Sequence, residues 1–200
     1  LNAGGSLPSH GSQTSLNALS LLSGPIGGPP GDALATDSLL VDIDNPSSPG
    51  NALFAEGQQI LLTGAEKGHR TLPDARFGIN ATTTVQDLMT FLSQSLGVNT
   101  GAGANPDGVS PGVSLDPTTG VITINGNSGV VNDITVELGD LRLLDDTGSF
   151  VRSPLTPTKA QSADGEAVRT TMLAYDSLGS PVTVEVTMAP RRKAWLHGKP

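Results

Sequence analysis

Two hundred residues can hold one good hydrophobic core or two small ones, and a composition of 3% aromatics with 25 Gly and 15 Pro disfavours a large, dense one. The net charge is −8, and because four of the 11 bases lie in 191–200, residues 1–190 set 19 acids against 7 bases, a poor match to nucleic acid, whose phosphates need clustered bases. The lack of cysteine excludes disulfides, thiolate nucleophiles and Cys-based metal sites, and no apolar run approaches the roughly 20 residues of a membrane span.

Along the chain, the start at Leu1 lacks the basic residues and apolar stretch of a signal peptide, so it reads as the beginning of an internal fragment. Residues 1–36 are rich in Gly, Ser and Pro, and their one apolar cluster, 16–22, is short and weakly capped. They read as an extended arm or linker lying on a neighbour, or as a loop. Residues 39–43 read as a short strand closed by the turn-forming stretch 45–50. Strands are expected at 58–63 and 76–80, around a loop holding Gly64, Gly68 and Pro73.

A helix follows. Thr84 is placed to cap it, with Asp87 three residues on in capping-box register. Val85, Leu88, Leu92 and Leu96 form an apolar stripe widened by Met89, and Gly97 sits at the expected left-handed terminus. Beyond a polar loop at 101–112, strands are expected at 112–115, 120–124 and 133–138. Turns at 117–120 and 125–127 separate them. Residues 37–145 thus read as an α+β unit, and 145–158, with Pro154 and Pro157, as a second boundary.

The last β segment, 159–189, holds a hairpin. Residues 169–175 form a Thr-rich strand, and 176–179 a type I turn in which Asp176 bonds its own backbone and Gly179 supplies positive φ. Val182, Val184, Val186 and Met188 then alternate with Thr183, Glu185 and Thr187, the period of a half-buried strand. Arg191, Arg192 and Lys193 with Trp195 suit an anion-contact patch with a cation–π partner. More simply, they read as one hairpin turn and the start of the next strand; a third reading makes the last ten residues a non-native end.

Candidate chemistry is sparse. His10, His69 and His197 are far apart and read as exposed loop residues. The acidic groups around Asp42 and Asp44, Asp145 and Asp146, and Asp164 and Glu166 lack the spacing of a calcium loop and read as turn residues. No nucleophile elbow, phosphate loop or carboxylate pair occurs. The chain is therefore expected to carry no catalytic residue, metal or cofactor.

Tyr175, Asp176, Ser177, Leu178 and Gly179, with their flanking strands, resemble the hairpin signature of the bacterial flagellar hook protein. Leu1-Asn2-Ala3 looks like the strand end that leaves the core domain of that family. The segments 35–40, 57–60 and 82–88 are similar to the insertion of its longer members, and Trp195 matches the family's strand after the hairpin, while 196–200 has no counterpart. The resemblance implies a structural subunit of the extracellular hook, a flexible tube that passes motor torque to the filament. It also implies export through the flagellar type III apparatus and contacts with copies of itself and with other axial proteins. The fragment alone is expected to be monomeric. Rod and hook-cap proteins are the related alternatives, and a carbohydrate- or host-binding adhesin module is the alternative from another class.

The fold expected is mainly β with an α+β insertion: two small β-rich domains, one carrying a single packed helix. Residues 1–36 would be the arm and the start of an inner domain, 37–145 an outer insertion, and 146–200 the return to the inner domain. Thr183, Glu185 and Thr187 are the expected subunit-contact face.

Overall fold

The computed structural model describes residues 8–17, 19–22, 34–165, 168–175 and 181–188. Strand accounts for 38% and helix for 13%, so the fold is mainly β with one packed α-helix, as its sequence suggests. The strands are β1 (Gly11–Leu16), β2 (Gln59–Leu62), β3 (Glu66–Lys67), β4 (Arg70–Thr71), β5 (Ala75–Gly78), β6 (Gly112–Leu115), β7 (Ile122–Ser128), β8 (Ile134–Thr135), β9 (Leu141–Leu144), β10 (Phe150–Arg152), β11 (Pro157–Gln161), β12 (Val168–Tyr175) and β13 (Pro181–Met188); α1 spans Val85–Ser95. They form two four-stranded sheets, β11-β1-β7-β6 and β10-β9-β2-β5, a small sheet β4-β3-β8, and the hairpin β12-β13. Among the described residues no helix is long and apolar enough to cross a membrane.

Helix α1 forms where its local signals point. The Thr84 hydroxyl accepts the Asp87 N–H at 3.2 Å, and the Asp87 carboxylate accepts the Thr84 N–H at 2.9 Å, closing the capping box. Val85, Leu88, Leu92 and Leu96 are fully buried, each burial stabilising by about 1.5–3 kcal/mol. The helix packs on β5 and β6, the edge strands of different four-stranded sheets. Phe91 stacks on Phe77 of β5 with ring centroids 5.1 Å apart. At the other end Lys67 of β3 donates to the Gly97 carbonyl, covering one of the acceptors a helix terminus leaves open.

One apolar core joins these layers. Leu16 of β1, Ile60 and Leu62 of β2, Ile122 and Ile124 of β7, and Leu141 and Leu143 of β9 belong to it with the helix stripe. Leu19, Leu34 and Leu155 belong to it as well, so the core takes residues from 1–36, 37–145 and 146–200. The described part of the expected arm is built into the body. β1 lies between β7 and β11, antiparallel to both, so one sheet draws strands from 1–36, 37–145 and 146–200. Residues 17–22 continue the attachment: the Leu19 N–H donates to the Gly120 carbonyl at 2.7 Å and the Leu22 N–H to that of Asp42 at 2.7 Å. Gly120 has φ +68, and a Cβ there would lie 1.8 Å from the Leu19 carbonyl oxygen, so only glycine fits this crossing.

Other local expectations change for tertiary reasons. Residues 39–43 hold a 3-10 turn, Leu40–Asp42, which places Leu40 and Ile43 three apart on one buried side. The expected turn at 125–127 lies inside β7, where Asn125 pairs with Gln13 of β1 and Gly112 of β6. Gly126 there sits against β1 so closely that a Cβ would meet the Ser12 hydroxyl at 2.4 Å. The expected strand at 133–138 is reduced to β8. The boundary at 145 is a tight turn joining β9 to β10, which pair with each other.

Candidate interaction surface

The hairpin β12–β13 is regular over its eight residue pairs, from Val168 opposite Met188 to Tyr175 opposite Pro181. Its composition explains the regularity, since Val and Thr fit a pleated surface and the register leaves no bulge. Alternation sorts the positions into two faces. Positions 168, 170, 172 and 174 share one with 182, 184, 186 and 188, and 169, 171, 173 and 175 share the other with 181, 183, 185 and 187.

The face expected to touch a neighbour is Thr183 with the register positions of Glu185 and Thr187, and Thr183 is exposed. Opposite Thr183 stands Leu173, and at the end of the same face stands Tyr175. A reading of β13 alone sees only Thr, Glu and Thr. Counting back around the antiparallel turn brings Leu173 and Tyr175 onto that face, and this is the signal that finds them. Asp176, Ser177, Leu178 and Gly179 of the signature lie outside the described residues, as do Leu1 to Ala3, Arg191 to Lys193, Trp195 and His197.

The hairpin is far more exposed than a half-buried strand pair. Tyr175 is 68% exposed, Leu173 59%, Met172 55%, Val182 46% and Val184 36%, with both faces represented. This corrects the expectation that Val182 and Val184 lie on a covered face. Its strands hydrogen-bond only to each other among the described residues. A two-stranded hairpin is marginal in water without a third strand or a packing partner, and grouped exposed apolar side chains mark contact surfaces.

No known family model matches the chain, and no curated protein or solved structure is similar enough to name as a relative. The reading of this surface therefore rests on its own geometry and residues.

Elsewhere many polar groups bond to one another, with the Thr14 hydroxyl and His10 Nδ1 as buried exceptions among the described residues. A cavity of about 80 Å³ between β1, β7 and the loop at 105–109 is lined largely by side-chain amides and Asp107. Asn105 donates to the Gly126 carbonyl at 3.0 Å and accepts the Ser128 N–H at 2.9 Å. Gln13 donates to Asn125 at 3.0 Å and Gln161 to the Gly11 carbonyl at 2.9 Å. These bonds tie the loop at 105–109 to β7 and link β1 with its neighbours β7 and β11, and a single ionisable group, Asp107, lines the cavity. Among the described residues no three His, Asp or Glu side chains gather as a metal site would require.

The acidic residues near turns act as turn residues. Asp145 accepts the Thr147 hydroxyl at 2.7 Å and the Ser149 N–H at 2.8 Å, bonds that hold its carboxyl below its ordinary value, the hydroxyl having the larger effect. Asp116 is lowered in the same way, chiefly by the side chain of Thr119 and then by the Thr118 N–H. Asp44 accepts the Gly50 N–H at 2.8 Å. His69 is an exposed turn residue with φ 61. His10 departs from the expected exposed loop: it is partly buried, its ring Nε2 lies 3.4 Å from Asp164, and its backbone N–H donates to the same carboxylate at 2.6 Å.

Proposed function

We propose that this chain is part of a structural subunit of the bacterial flagellar hook, working by contact with copies of itself and with other axial proteins outside the cell and transforming no molecule. The observation that carries the reading is the exposed β12–β13 hairpin, in which Tyr175 stands at the end of a Thr-rich strand directly before the Asp176-Ser177-Leu178-Gly179 sequence. A body with its own core supports a scaffold role. A pair of strands with uncovered faces supports a contact role.

The mechanism follows from what a bending tube demands. Subunits on the inner side of the bend crowd together and those on the outer side separate, once per rotation. A contact that tolerates this must not be dominated by one deeply buried anchor. The face holding Thr171, Leu173, Tyr175 and Thr183 offers two apolar contacts among β-branched polar ones. Such contacts shift register at small cost, because no single one holds most of the interface energy.

Antibodies raised against this chain provide the test, by immunogold electron microscopy on flagellated cells of the source organism. The expected result is gold on the short curved segment between cell surface and filament. Gold spread over the cell surface with bare flagella would contradict the hook and favour an adhesin. Gold on the rod or at the growing hook tip would reassign the chain within the axial proteins.

A further inference from the structure

We draw no further inference here: the strongest candidate, the hairpin face formed by β12 and β13 with Met172, Val182 and Val184 exposed, is an unpartnered sheet face and nothing in the structure shows what covers it.

Discussion

Helix α1 and the β12–β13 hairpin are both amphipathic by pattern, yet their apolar sides meet opposite fates. The Leu88 and Leu92 side chains are fully buried against strands of the same chain, whereas Met172 is 55% exposed and Val182 46%. An apolar periodicity thus defines a face without saying what covers it. The body gathers most of its apolar side chains into one core, though Leu138 and Phe150 are exposed, while the hairpin's two strands bond only to each other among the described residues.

Truncation on the two sides of this contrast gives the largest expected effect. Leu92→Ala should cost about 2–5 kcal/mol in denaturant unfolding, because it empties a closed site. Leu173→Ala should change stability by no more than about 0.5 kcal/mol, as exposed substitutions do. Equal losses for the two variants would mean that the hairpin is packed on the body.

Strand β1 sharpens the comparison within the body. Ser12 accepts the buried Ile134 N–H at 3.1 Å, whereas the Thr14 hydroxyl, on the same inward side, is buried without a partner among the described residues. Ser12→Ala should therefore destabilise by about 1–3 kcal/mol, and Thr14→Val should stabilise by about 1 kcal/mol. Both values are read from thermal unfolding, and a destabilised Thr14→Val would show that the hydroxyl has an acceptor.

Thr84→Ala removes the N-cap of α1 and should cost about 1 kcal/mol, seen as a lower unfolding midpoint with the helix still present by circular dichroism. Acid should act more gently. Asp87, Asp116 and Asp145 are held below the ordinary carboxyl value of 3.8 by hydrogen bonds formed on folding; for Asp87 the Thr84 N–H is the largest cause. The unfolded chain therefore binds more protons as pH falls through 3.8, so their stabilisation is present above that pH and lost progressively below it. Melting temperatures between pH 5 and 2 should decline, and the decline should be shallower in an Asp145→Asn variant. An unchanged slope would show that the Thr147 and Ser149 bonds do not persist in solution.

How much of the fold is legible in the sequence depends on where each residue's partner lies. Helix α1 is readable because Thr84, Asp87 and the leucine stripe all act within thirteen residues, 84–96. The turn at Asp116 and Gly120 is readable for the same reason. β1 is not, because Gly11 to Leu16 owe their strand to partners more than a hundred positions away, in β7 and β11. Asn125 and Gly126 carry the dipeptide of a tight turn, yet both lie within β7, where Asn125 pairs with β1 and β6. β9 is not legible locally either, since Leu141–Leu144 gains its pairing from β2. Of the candidate surface, Thr183 and Tyr175 could be named in advance. That they share a face with Leu173 needs the register, and that both faces carry exposed apolar side chains among the described residues needs the fold.

Amide hydrogen exchange on this chain alone and within hooks isolated from cells tests the central claim most directly. The account predicts fast exchange over 168–175 and 181–188 in the isolated chain, with slow exchange in β7 and α1, and strong added protection of the hairpin only in the assembled tube. Hairpin amides that exchange at the same rate in both states would contradict it.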